Sequence, residues 1–388
     1  MYLSGEIAIM QKQVLMAATV PSMIGQFNMD NIRILLDMGY KIDVACDFND
    51  TSVWPKDKVE KFRKKLDEMG IRSIQIDFSR SPINIVRHIK SITQVKKLLS
   101  DNDYSFIHTH TPIASAIIRF VSRKKRSRII YTAHGFHFYK GAPKKNWIIF
   151  YPLEKYLSRD TDVLITINHE DYERSLAKFH AKKNIYVPGI GVDTKKFRTA
   201  GDRNKIRKEL GIDNNDIMLL SVGELNDNKN HQIVIKALEQ LPDNIYYVIV
   251  GKGYLEETLR NIAEQLDVID RVKLVGYRDD VIDFYSAADV FVFPSYREGL
   301  SVALMEAMAS SLPVICSRIR GNTDLIDERK GGFLIDPASA TEITHRIEEL
   351  LKTNLKEIGM YNQEKVSLFD VEVVTKKMVS IYNNILED

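Results

Sequence analysis

Along almost the whole of this chain, short apolar, β-branched runs alternate with longer stretches of helical period, and that alternation confines the fold more than any other feature. Val14 to Ala18, Ile42 to Cys46, Ser73 to Ile76, Phe106 to Thr109 and Arg128 to Thr132 read as buried strands. Between them Phe27 to Met38, Lys56 to Met69, Ile85 to Leu99 and Ile113 to Ser122 read as helices, the first two stopped by Gly39 and Gly70. Strand and helix in strict turn predict a parallel, doubly wound sheet, with ligands outside the carboxyl ends of its strands. A second run begins near residue 205. Ile217 to Val222, Tyr246 to Val250, Val272 to Val275 and Val290 to Phe293 are its strands, and His231 to Glu239, Leu255 to Leu266 and Val281 to Ser286 its helices. Glycines and charges break the pattern in Gly189 to Arg203, so the 388 residues divide into domains of 1–195 and 196–370, followed by a helix over 371–388 (Val371 to Leu386).

Composition excludes disordered and fibrous classes, since 44% of residues are hydrophobic and 28% charged. Cys46 and Cys316 match no metal spacing and read as reduced, buried thiols of a cytosolic protein. No apolar run approaches the ~18 residues of a membrane span. MYLSGEIAIMQKQ lacks the basic start and apolar core of a signal peptide. The net charge of +3 hides an asymmetry: residues 1–200 carry 33 Lys and Arg against 20 Asp and Glu, while 201–388 carry 22 against 32. A basic half could meet nucleic acid, but no nucleic-acid motif or interleaved aromatic platform accompanies it. An anionic membrane surface or an anionic acceptor is expected instead.

The stretch DVFVFPSYREGLSVALMEAMASSLPVIC, Asp289 to Cys316, concentrates the candidate chemistry. It reads as strand, short loop and buried helix over Leu300 to Met308, with Glu298 at the mouth and Glu306 about 12 Å along the axis. A carboxylate on an otherwise apolar helix calls for a partner, and none is present locally. The backbone N–H groups of Gly299, Leu300, Ser301 and Val302 lie between the two glutamates, at the positive end of the helix dipole, where a phosphate is stabilised. One ligand could meet all three features, with a sugar at Glu298, a diphosphate at the amides and a ribose at Glu306. Spacing alone leaves open a solvated Glu298 and an exposed Glu306.

Glu298 to Glu306, preceded by AADVFVFPS and followed by EAMASSLPVI, resembles the E-x7-E signature of the retaining glycosyltransferases of family 4. The resemblance implies the α/β GT-B fold, two Rossmann-like doubly wound domains facing across a cleft. It also implies an N-terminal acceptor-binding domain onto which the last helix crosses back, and a C-terminal nucleotide-sugar domain. It assigns Glu298 to the donor sugar and Glu306 to the ribose hydroxyls. In GELNDNKNH, Lys229 matches the family lysine that grips the donor diphosphate, while Glu224 stands where an arginine is usual; Arg278 and Arg320 are candidate substitutes. Tyr277 and Arg278 occupy the position where the family holds the base through its backbone. Gly251 and Gly253 follow a strand and suit close backbone approach to a ligand. Gly25 matches the glycine-containing first loop, although a helix start would read the same way.

Four histidines, His108, His110, His134 and His137, fall near two strand ends in HTHTP and TAHGFHF. Imidazoles on one strand face could bind zinc or iron, but no acidic or Cys ligands accompany them, and no metal or other cofactor is expected. The resemblance places His134 against the donor sugar.

YTAHGFHFYKGAPKKNWIIFYPLEKYLSRDTDVLITINHEDY narrows the resemblance to the exopolysaccharide and capsule branch, which extends lipid-linked oligosaccharides. The expected activity is metal-independent, retaining transfer of a hexosyl or N-acetylhexosaminyl group from a UDP-sugar to a lipid-linked saccharide, with Glu298, His134 and Lys229 as catalytic residues. The expected location is the inner membrane face, peripherally, through residues 119–128 and the basic and aromatic stretch 140–151, although a core helix would also explain the latter. A UDP-sugar 2-epimerase and a catalytically inactive nucleotide-sugar-binding subunit remain alternatives.

Overall fold

The computed structural model describes residues 12–123 and 127–387. The N-terminal residues through Gln11, read above for a leader, and Lys124, Lys125 and Arg126 of the basic run lie outside the described residues. The chain forms two compact units, one running to Ile190 and resuming at Thr375, the other spanning Gly191–Val374.

The first unit is built on a seven-stranded sheet, all its pairings parallel, in the order β3-β2-β1-β4-β5-β6-β7. Its strands are β1 Gln13–Ala17, β2 Lys41–Cys46, β3 Arg72–Gln75, β4 Phe106–Thr109, β5 Arg128–Ala133, β6 Val163–Thr166 and β7 Lys183–Tyr186. β1 and β4 are buried at every residue but Gln13, which explains the apolar run of β1, while β4 buries His108 and Thr109 beside Phe106 and Ile107. Leu15, Ile107, Ile117 and Phe78 join helix to sheet in one core. The helix expected over Phe27 to Met38 is two helices, Pro21–Phe27 and Met29–Asp37, because Asn28 leaves helical geometry and its side-chain amide bonds Met23 O at 2.9 Å. The last helix, Val371–Asn384, starts in the second unit and enters the first at Thr375, where Tyr382 stacks on Phe106.

The second unit carries a six-stranded sheet, order β10-β9-β8-β11-β12-β13, again parallel throughout. The strands are β8 Ile217–Val222, β9 Ile245–Val250, β10 Val272–Gly276, β11 Val290–Phe293, β12 Val314–Ser317 and β13 Gly332–Ile335. In each unit the strand order reverses once, between β1 and β4 and between β8 and β11. A crevice opens at such a reversal because the flanking connections leave on opposite faces.

Two parts of the first unit differ from expectation. Of the basic run 119–128, Arg119 is 1% exposed and pairs with Glu154 at 2.7 Å, Arg123 pairs with Asp160 at 2.8 Å and Arg128 with Asp162 at 3.5 Å. Those three cations are neutralised within the protein. The helix Lys144–Leu157 splits its aromatic stretch: Trp147, Phe150 and Tyr151 pack on Phe136, Phe138 and Phe179, whereas Ile148 and Ile149 are 74% and 55% exposed. Among the described residues no helix is long and apolar enough to cross a membrane.

Candidate active site

The reversal between β8 and β11 brings together two loops of the second unit, and the signature lies there. β11 is wholly buried, so the chain can turn only after Phe293, and it reaches helix Val302–Ala309 through Pro294 to Ser301. The helix starts two residues later than expected because Ser301 caps it, its hydroxyl accepting from Leu304 N at 3.4 Å. Its first N–H groups, Val302 and Ala303, have no intrahelical partner. Gly299 and Leu300 lead into this turn against Gly321, where an added Cβ would lie 2.1 Å from Gly299 O.

From the neighbouring loop, Lys229 Nζ meets Glu298 Oε1 at 2.8 Å and lies 4.5 Å from the centre of the Phe293 ring. Both charges are largely covered, 18% and 14% exposed at the side chain, which strengthens their attraction over that of a surface pair. The two loops are laced by backbone as well: Tyr296 N bonds Asn228 O at 2.8 Å and Asn228 Nδ2 bonds Arg297 O at 2.9 Å. Asn230, at φ 55°, is buried and donates to Pro294 O at 3.2 Å and to Pro337 O at 2.7 Å. Sequence reasoning passed over these asparagines, although in NDNKNH the turn-forming residues are themselves the signal.

Glu306 is half-buried and has a partner. Tyr285 Oη donates to its Oε2 at 2.9 Å, from the helix Val281–Ala287. Burial pushes the carboxyl up to about 6, against the opposing effects of Tyr285 and Lys196. The missing local partner was therefore a tyrosine 21 residues earlier.

The candidate substitutes for the absent arginine part company here. Arg278 is held by Glu209 at 2.6 Å and Asp280 at 2.8 Å and stacks over Phe284, so its guanidinium is already occupied. Arg320 is buried at this loop cluster and donates to Glu298 O at 3.2 Å. Glu224 is exposed and accepts from Asn226 at 3.0 Å. Tyr277, 69% exposed, follows β10, and Asp279 holds its hydroxyl above the usual range through a hydrogen bond. Gly251 and Gly253 do permit a close approach, but to protein: added Cβ atoms would lie 1.8 Å from Gly223 O and 2.2 Å from Leu225 O.

In the first unit, His134 follows β5 and its Nε2 lies 3.4 Å from His110 Nδ1. Burial lowers His134 to about 4 and His108 to about 3, so both rings are neutral near pH 7. His108 spends one nitrogen on Tyr382 Oη at 2.9 Å and the other on Thr132 Oγ1 at 2.8 Å, which leaves it none for a metal and ties the final helix to the sheet. Gly25 lies inside the helix Pro21–Phe27 rather than in a loop, and an added Cβ would meet the Trp54 ring at 2.3 Å. Its small size serves packing.

Comparison with known proteins agrees with this architecture. Residues 202–365 match the model of glycosyl transferases group 1 and residues 26–168 that of the glycosyl transferase 4-like domain. The Bacillus subtilis protein EpsD is 33% identical over 96% of this chain and 97% of its own length. An Escherichia coli UDP-Gal:alpha-D-GlcNAc-diphosphoundecaprenol alpha-1,3-galactosyltransferase is 31% identical over 66% of this chain and 68% of its own. Among solved structures, Anabaena Alr3699/HepE in complex with UDP-glucose superposes with a TM-score of 0.76 at 20% identity, covering 96% of this chain and 99% of that one. The chain belongs to glycosyltransferase family 4, of the GT-B fold, in the branch that includes exopolysaccharide and capsule glycosyltransferases.

Proposed function

We propose that this glycosyltransferase moves a hexosyl or N-acetylhexosaminyl group from a UDP-sugar to a lipid-linked saccharide, with retention and without a metal, in exopolysaccharide or capsule synthesis. The observation that carries the reading is the Lys229–Glu298 pair at the entrance to helix Val302–Ala309, with the half-buried Glu306 on the same helix. Lys229, Arg320 and the helix amides offer positive potential where a leaving diphosphate gains charge, and because they are fixed beforehand they need no reorganisation as the bond breaks. Glu298 takes a sugar hydroxyl, Glu306 the ribose, and the backbone at Tyr277 and Arg278 the base. His134, neutral, is assigned to the sugar by family resemblance. The E. coli relative, which acts from UDP-Gal on a diphosphoundecaprenol-linked sugar, and the UDP-glucose complex of the Anabaena protein support this donor and acceptor class.

Peripheral attachment to the inner membrane face belongs to the same proposal. It is supported by the exposed Ile148 and Ile149 beside Lys144 and Lys145, an apolar and basic pairing suited to an anionic interface. The test is a mass-spectrometric screen of UDP-, GDP- and ADP-sugars with lipid-linked saccharides, followed by assignment of the anomeric configuration formed. An α-linked product from an α-linked UDP-sugar is expected. Interconversion of the donor without acceptor would favour an epimerase, and binding without turnover an inactive subunit.

A further inference from the structure

The reversal between β1 and β4 in the first unit holds a pocket that no role above uses. Its floor is Thr19 and Thr111, the residues just beyond those strands, joined hydroxyl to hydroxyl at 2.8 Å, with Thr19 N also donating to Thr111 Oγ1 at 2.8 Å. The two threonine hydroxyls are thus bonded to each other on the floor, and the walls are mostly apolar, with Met23, Pro82, Ile113 and Phe150 among them. At about 290 Å³ it is at the small end of ligand pockets, roughly 300–1,000 Å³, and takes part of a ligand rather than a whole one.

Two features fix the chemistry of that part. Arg80 lines the pocket, and its guanidinium donates to the neutral Ser52 hydroxyl at 2.9 Å; among the described residues no carboxylate pairs with it within salt-bridge distance. The first turn of the helix Pro112–Ser122, the positive end of that helix dipole, also lines the pocket. The pocket therefore favours an anion bonded to hydrocarbon. Its apolar walls also continue outward: Pro82 leads to Ile83, Ile85 and Val86, each at least 67% exposed, and Phe150 follows the exposed Ile149. Beside the floor, His110 is 2% exposed and its Nε2 has no hydrogen-bond partner among the described residues.

We infer that this pocket binds the prenyl diphosphate of the lipid-linked acceptor, Arg80 meeting the phosphate and Met23, Ile113 and Phe150 the first isoprene, while the rest of the lipid runs out over Ile83 to Val86. This rests on the lipid-linked acceptor proposed above. It directs the saccharide toward His110 and His134, whose rings adjoin the floor through Thr111.

Calorimetric titration of the full chain, saturated with UDP to block the nucleotide site, would use farnesyl diphosphate, farnesol and inorganic diphosphate as probes. Farnesyl diphosphate should bind more tightly than either half alone. Arg80→Ala should weaken it about tenfold or more, with Arg80→Lys recovering part, and Ile113→Asp should weaken farnesyl diphosphate and farnesol alike. Hydrogen exchange should show protection at Val20 to Met23 and at Thr111 to Ala114. Equal affinity in Arg80→Ala, or protection elsewhere only, overturns the assignment. Transfer to a polyprenyl-diphosphate saccharide measured in parallel separates the two levels. Undiminished transfer by Arg80→Ala rejects the pocket alone, and absence of transfer by the wild type to any lipid-linked acceptor rejects the acceptor class and the pocket with it.

Discussion

Glu306 should make the unliganded protein less stable than it could be, and replacing it by Gln exposes the size of that effect. Burial raises its carboxyl from 4.5 to about 6. At about 1.4 kcal/mol per pH unit, that difference corresponds to about 2 kcal/mol. The sign follows from proton uptake. Between pH 4.5 and 6 the folded chain binds the proton more tightly than the unfolded one, so stability falls as pH rises through this window and the full penalty applies above it. Glu306→Gln keeps the shape and an oxygen for Tyr285 Oη but cannot ionise. At pH 7.5 the variant should be more stable by about 2 kcal/mol, or about 4–8 °C in melting temperature for a unit of this size, whereas near pH 4.5 the two proteins should melt together. The same variant should bind UDP about tenfold or more weakly, since a charged acceptor of the ribose hydroxyls is gone. Differential scanning calorimetry at both pH values and titration with UDP give the readouts. A variant that melts at or below the wild type at pH 7.5, or shows the same offset at both pH values, would refute the reasoning.

Lys229→Ala should lower kcat more than UDP-sugar affinity if its charge meets one that grows in the transition state, and intact turnover in single-turnover assays would place the phosphate elsewhere. Gly321→Ala forces a side chain to φ 79° with its Cβ 2.1 Å from Gly299 O, so it should cost about 1–3 kcal/mol and displace the Gly299–Ser301 turn; wild-type melting and UDP binding would count against that turn as the phosphate seat. Activity should survive exhaustive chelation, and a loss restored by added zinc or magnesium would overturn the metal-independent reading.

Much of the fold was legible because its determinants are local. A buried parallel strand is mostly apolar, which is why β8 and β11 occupy the runs Ile217 to Val222 and Val290 to Phe293, whereas β4 keeps His108 and Thr109 buried because other segments supply their hydrogen bonds. Glycine stops and helical period marked most helices for the same reason. Asn28 was not legible as a break, since its bond to Met23 O forms only once the preceding turn has folded.

The candidate site divides along the same line. Glu298, Ser301 and Glu306 belong to one strand, loop and helix, so their spacing in sequence is already a spacing in space, and with its flanks it marked the family. The side chains that act on the two glutamates come from elsewhere in the chain: Lys229 from 69 residues away, Tyr285 from 21, Arg320 from 22. The sheet order, which sets β8 and β12 on either side of β11, brings Lys229 and Arg320 to Glu298, and the packing of the helix Val281–Ala287 brings Tyr285 to Glu306. Tertiary structure likewise turned Arg278 from a phosphate candidate into a partner of Glu209 and Asp280, made Gly25 a contact for Trp54, and gave His108 to Tyr382, 274 residues on. Local period records what each segment buries. Which charged and polar groups are paired off, and which are left for a ligand, depends on contacts between segments that no local pattern contains.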